Sequence, residues 1–178
     1  IEPGHFRFNV AGERIITLEG KLFFTHKGVE KLLEEKSVMD ALPFAERVSG
    51  DASASHALAY AQAVESALEI DVPLRAQALR TFICELERIT MHVHDIANMA
   101  GMGTGFTMFA AQGFRLKEQL MRLSQELFGN RFWRGYIVPG GVAKDLTSEQ
   151  LKNAYEVTEK IVTEITHIYQ IGRHSDGL

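Results

Sequence analysis

Apolar and polar side chains alternate along FRFNV, Phe6 to Val10, and the following AGE has the composition of a turn. RIITLEGKLFF, Arg14 to Phe24, is rich in β-formers, so the two runs predict an antiparallel pair. After Gly28 the pattern changes to a short helix through VEKLLEEK. Ser55 to Leu68 repeats small residues, Ala57, Ala59, Ala61, Ala63 and Ala67, which lets a helix approach its neighbours closely. Pro73 suits the first turn of the next helix. In that helix Leu79, Phe82, Leu86, Ile89, Val93 and Ile96 recur every three or four residues as one apolar stripe. The run Gly101 to Gly105 is expected to end it. A second stripe, Leu116, Leu120, Leu123 and Leu127, stops at Gly129-Asn130. Thr147 with Gln150 forms a capping-box pattern, and Leu151, Ala154, Ile161, Ile165 and Ile168 mark a last long helix. The prediction is a mainly α fold with a small β-hairpin: a helical bundle (28–178) with the hairpin (1–25) at its N-terminal edge.

Asn130 to Leu146, NRFWRGYIVPGGVAKDL, resists this scheme. It is long for a connection inside a compact chain, and Pro139-Gly140-Gly141 requires a tight turn with positive φ at one glycine or both. A functional loop and a linker over the bundle surface are both open readings.

Composition narrows the class. The 178 residues are 46% apolar and 24% charged, which is the balance of a globular chain able to bury a core. A net charge of -4 without a basic block argues against nucleic-acid binding. Cys84 is the only cysteine, which excludes an intrachain disulfide or a cysteine cluster and fits a reducing compartment. The uncharged run from Ile96 to Phe114 is too polar and Gly-broken to span a membrane, so no direct span is expected. No signal peptide is expected either. The start at Ile1 and the end at Leu178 suggest one piece of a larger domain, inactive by itself.

Individual residues carry little specific chemistry. Ser49, Ser53 and Ser55 near His56 lack the third group of a triad and the G-x-S-x-G elbow. His92 and His94 lie two apart on a helix and face different ways, so a structural role, for instance pairing with Arg88 or Asp95, is favoured over metal binding. Met91, Met99, Met102 and Met108 gather around the Gly-rich break; core filling is the usual reason, a groove for a ligand or partner helix the other. Glu2, His5, Glu30 and Arg47 are each ordinary surface charges alone, but a converging set of Glu and His could pass protons.

Taken in order, EPGHFRF, HKGVEKLLEE, ERVSGDASASHALAYAQAVE, VPLRAQALRTFICELERITMH and PGGVAKDL resemble one family. It comprises the large subunits of energy-converting nickel-iron hydrogenases, of the formate hydrogenlyase type, and the related 49 kDa quinone-site subunit of respiratory complex I, NADH-quinone oxidoreductase. The resemblance implies the fold of those subunits and a place in an electron-transport assembly with NAD binding and quinone reduction among its activities. In the hydrogenases the loop would read R-x-C-G-x-C-x-x-x-H. Arg47, Gly50 and His56 match that frame, but Ser49 and Ala52 stand where the metal-binding cysteines would be. A hydroxyl is a poor nickel ligand and a methyl group is none, so no metal is expected here. In complex I a quinone-binding tyrosine would occupy the position of Gly50, and its histidine partner falls at or near His5. The complex I aspartate expected near Met102 is missing, with Asp95 one stretch earlier, and Val138 stands where arginine is common. Glu2 resembles a proton-relay glutamate, and Glu30 belongs to an R/K-G-x-E motif.

The resemblance therefore implies an electron-transfer subunit without nickel-iron, with a quinone-like acceptor in a cavity at the loop. Cavity candidates are Glu2, His5, Arg47, Asp51 and His56, with Glu30; Ser49 and Gly50 would form the quinone loop. Asp51, if buried, needs a raised pKa or a partner such as Arg47. The fragment itself would bind no cofactor. An iron-sulfur subunit would bring a [4Fe-4S] cluster, and other subunits would hold the protein cytoplasmic and peripheral to the inner membrane. The alternative is a catalytically silent coupler between electron-input and ion-transport subunits. A C-terminal half would close the fold, and without it the Leu151 to Ile168 stripe would be exposed or paired.

Overall fold

A computed structural model describes residues 3–173, in two compact units, Ile1–Glu34 and Glu35–Leu178. Glu2 lies outside the described residues.

The first unit is built on an antiparallel ribbon of β1, His5–Ala11, and β2, Arg14–Lys21. The second strand is shorter than predicted and leaves Leu22 to Phe24 outside the ladder. Alternation sorts the ribbon into two faces. Arg7 opposes Glu19, and Asn9 donates to Thr17 at 2.8 Å, on one face. Phe6, Phe8, Val10 and Leu18 form the other, each more than half exposed. Helix α1 covers Val29–Leu33, shorter than the VEKLLEEK prediction because Glu34 leaves the helical region and Glu35 turns to positive φ.

The second unit is the bundle. Helix α2, Val38–Ala45, lies in a stretch to which the sequence pattern assigns no element, and it carries Pro43 inside it. It starts at Ser37, whose Oγ accepts the Asp40 amide at 3.2 Å. Helix α3, Ser53–Leu68, begins two residues before the predicted start. Helix α4, Leu74–Asp95, follows Pro73, which sits at the N-cap rather than inside the first turn. The Gly-rich run does not stop the winding as expected. From Ile96 to Met102 the chain continues as a π-helix, and Gly103 follows as its cap. Helix α5, Thr107–Phe128, ends at Gly129 as predicted. Helix α6, Ser148–Arg173, begins with the predicted capping box: Thr147 Oγ1 accepts the Gln150 amide at 3.1 Å, and Gln150 Oε1 accepts the Thr147 amide at 2.9 Å.

All four leucines of the α5 stripe are buried, each contributing roughly 2 kcal/mol of transfer free energy. They divide between two core clusters. Leu123 and Leu127 join Ala57 and Ala61 of α3 with Ile83 and Leu86 of α4; Leu116 and Leu120 join Val93 and Ile161. The last helix is less exposed than expected. Ala154 and Ile161 are buried, Ile165 and Ile168 pack against the second cluster, and the open apolar residues are Tyr155, Val162, Tyr169 and Ile171.

The segment from Asn130 to Leu146 is part of the core, not a surface linker. Trp133, Tyr136, Ile137 and Leu146 are buried in the first cluster, with Phe128 packed edge-on to Tyr136. Strands β3, Ile137–Val138, and β4, Gly141–Val142, make a tiny antiparallel hairpin, and its turn uses the positive φ of Gly140. Core filling does not hold for three of the methionines: Met99 and Met102 of the π-helix and Met108 of the first turn of α5 are more than half exposed.

Candidate functional site

The loop between α2 and α3 contains the Arg47, Gly50 and His56 frame. Its shape is set by buried polar contacts. At its start Glu46, 3% exposed, accepts the Gly135 amide on Oε1 at 2.6 Å. At its end Ser53 Oγ accepts from Arg134 Nε at 3.3 Å. Just beyond, Glu87 of α4 takes the Ala54 amide at 2.7 Å and the Ser55 amide at 3.0 Å. Neighbouring Arg134 and Gly135 of the long connection therefore hold both ends of the loop.

The electrostatics follow from burial. Desolvation pushes the Glu46 carboxyl above its ordinary value of 4.5, against the lowering by the Gly135 amide and the Arg47 and Arg134 charges. A raised carboxyl binds its proton more tightly folded than unfolded, so it lowers stability as pH rises from about 4.5 through its higher folded value. Glu46→Gln keeps an acceptor for Gly135 and removes that slope. The variant is expected to gain stability relative to the parent as pH goes from 4 to 8, measured by urea midpoints; parallel midpoints at all pH values contradict the assignment. Cys84, half-buried on α4, is pushed up to about 11 by desolvation and by the Glu87 charge.

The predicted site residues are distributed over both units. His5 and Glu30 belong to the first unit, both exposed, with Glu30 carrying His26 at 3.5 Å. Arg47, Ser49, Gly50, Asp51 and His56 belong to the second. Asp51 is exposed, so the condition for a buried carboxylate is not met. Arg47 is also exposed, and its Nη1 donates to the Pro43 carbonyl. His56 is half-buried in the first turn of α3. Gly50 and Asp51 line a cavity of about 100 Å³ with Thr90, Met91, Lys117 and Trp133.

The loop does not suit nickel. Ala52 offers no donor atom, and Ser49 Oγ lies 3.4 Å from the Asp51 amide as its acceptor. Among the described residues no three His, Cys, Asp or Glu side chains gather closely enough to hold an ion. His92 is exposed, and His94 turns its ring to Phe114, centroids 5.8 Å apart, so the two do not act together. Glu46, Glu87 and Arg134 were not singled out from the sequence; an acidic side chain inside the apolar stripe of α4 was the available signal for Glu87.

Comparison with known proteins gives the context. Residues 27–100 match the family model for nickel-dependent hydrogenase, and residues 102–175 match that for the 49 kDa subunit of respiratory-chain NADH dehydrogenase. Hydrogenase-4 component G of Escherichia coli is 33% identical over 96% of this chain and 31% of its own length. Formate hydrogenlyase subunit 5 of the same organism is 34% identical over 96% of the chain and 30% of its own length. A subunit of the NADH-quinone oxidoreductase of Pelagibacter ubique is 32% identical over 86% of the chain and 40% of its own. The chain thus spans 30–40% of these relatives. A chain in the membrane-bound sulfane sulfur reductase, an archaeal respiratory membrane complex, superposes with a TM-score of 0.82 over 93% of this chain and 44% of that one; at 23% identity this shows the fold. The two family models meet within one continuous bundle, and the chain belongs to the family that joins nickel-dependent hydrogenase large subunits with the 49 kDa subunit of respiratory NADH dehydrogenase.

Proposed function

We propose that this chain is the portion of an electron-transfer subunit, in a complex I-like or hydrogenase-related membrane complex, that presents an acceptor site without nickel-iron. The observation that carries the reading is the loop from Arg47 to Ser53. It is held at both ends by buried polar contacts, yet has Ser49 and Ala52 in place of metal ligands. A scaffold kept in shape without its metal suits an organic acceptor of the quinone class. Reduction of a quinone takes two electrons and two protons. The electrons come from an iron-sulfur partner subunit, and Asp51 and His56 are the groups here that can carry protons. Attachment to the membrane is through partner subunits, since no helix among the described residues is long and apolar enough to cross. NADH, the donor in the name of the NADH-quinone oxidoreductase relatives, is the electron source that fits this reading.

In the intact complex, Asp51→Ala and His56→Ala are each expected to lower reduction of a short-chain quinone by about a hundredfold, the lower end of general acid-base effects. Unchanged rates in both variants sink the acceptor site. One observation favours a silent structural coupler instead: the cavity lined by Gly50 and Asp51, about 100 Å³, is smaller than the roughly 300–1,000 Å³ of ordinary ligand sites. Titration of the complex with a quinone analogue separates the two, since saturating analogue without binding leaves the coupler.

A further inference from the structure

Helix α3 lacks a cap of its own. Ala52 holds the N-cap position, and its side chain accepts no hydrogen bond. Glu87, from α4, supplies what Ala52 cannot. Its Oε1 accepts the Ala54 amide at 2.7 Å, and its Oε2 accepts the Ser55 amide at 3.0 Å and the Ser55 hydroxyl at 2.8 Å. Ala54 and Ser55 are the second and third residues of the helix, whose amides a capping side chain normally serves. Glu87 is 2% exposed. A carboxylate so buried needs strong compensation, and the positive end of α3 provides it in the form of charge-assisted hydrogen bonds.

We infer that Glu87 is the positioning residue of the loop from Arg47 to Ser53, capping α3 from the neighbouring helix; this rests on the proposal that the loop is the acceptor site. The chain enters the loop from Glu46, anchored on Gly135, and leaves it into a helix start fixed by Glu87. Between these two buried carboxylates the loop has little freedom to change register. Occupancy of the α3 amides has a second consequence. Helix N-termini ordinarily bind anions, but the first-turn amides of Ala54 and Ser55 are already taken by an internal carboxylate. Those two amides are therefore not available to an anionic ligand at the loop.

The test uses Glu87→Gln, nearly isosteric, in the intact complex. Amide hydrogen exchange at Ala54 and Ser55 is expected to rise roughly tenfold or more, as the loss of a charge-assisted bond implies, while exchange in the rest of α4 stays unchanged. KM for a neutral short-chain quinone is expected to rise more than kcat falls. Unchanged exchange at Ala54 and Ser55 overturns the inference, as does exchange that rises equally along all of α4. Local loosening with unchanged kinetics keeps Glu87 as the loop's cap and removes the acceptor-site reading instead. If Glu87→Gln does not fold, Ser55→Ala deletes one donor only and is expected to loosen the same two positions to a smaller degree; no local change in that variant also overturns the inference.

Discussion

Arg80→Ala is expected to destabilise the bundle by about 3–5 kcal/mol, the range for removing one partner of a buried ion pair. Arg80 is 3% exposed and forms four contacts with three different segments. Its Nη1 donates to Glu65 at 3.0 Å, with a second bond from Nη2 to the same carboxylate. Nε donates to the Gly141 carbonyl at 2.9 Å, and Nη2 to the Val138 carbonyl at 2.7 Å. Glu65 also accepts the Gly140 amide at 2.7 Å. The pair thus ties α3 and α4 to the β3–β4 hairpin. Alanine leaves the Glu65 charge and two carbonyls without these donors. Chemical denaturation should show the loss, and Arg80→Met with Glu65→Leu should recover much of it, because an apolar pair of similar volume removes the stranded charge. A pH series adds a check. The Arg80 hydrogen bonds hold the Glu65 carboxyl below its ordinary 4.5. Its contribution is present above 4.5 and is lost as pH falls through the lower folded value. That acid sensitivity should vanish in Arg80→Ala. A variant within about 1 kcal/mol of the parent contradicts the role given to the pair.

Gly101→Ala is expected to cost about 2–3 kcal/mol, the upper part of the range for overpacking. A methyl group at Gly101 would lie 2.6 Å from the Ala110 nitrogen and 2.7 Å from its Cα. These are backbone atoms, so no rotamer change relieves the clash, and the π-helix must move off α5. Gly113 is the reciprocal case, where an added methyl group would run into Ala97 Cβ. The two substitutions address one close crossing and should be strongly non-additive. Thermal melts of both single variants and the double variant measure this. A Gly101→Ala melting temperature equal to the parent's shows that the crossing is looser than described.

The parts legible in the sequence are those fixed by short-range chemistry. The Thr147–Gln150 box needs only a spacing of three, and the leucines of α5 need only a turn of helix. The parts that were not legible depend on distant residues. Glu87 meets Ser55, Glu46 meets Gly135, and Arg134 meets Ser53, pairs joined by folding rather than by pattern. Helix α2 carries Pro43 near its C-terminal end, a residue that ordinarily breaks a helix interior. The connection from Asn130 to Leu146 left a functional loop and a linker both open, because its apolar residues have neither a period of two nor of 3.6; they fill gaps between helices instead. The π-helix escaped for a similar reason. Glycines usually end a helix, and at Gly101 the close approach of Ala110, not a chain reversal, requires one. For the site, the ordered family motifs pointed to the loop, and the donor chemistry of Ser49 and Ala52 argued against nickel.

Cys84 gives the loop a practical use. With its thiol pushed up to about 11, it is almost wholly protonated at neutral pH, and thiolate is the form that reacts with maleimides and disulfide reagents. A single cysteine placed on the exposed loop, as in Asp51→Cys, would therefore be the fast-reacting sulfur of the chain. A spin label or fluorophore could report loop motion directly, without first removing the native residue.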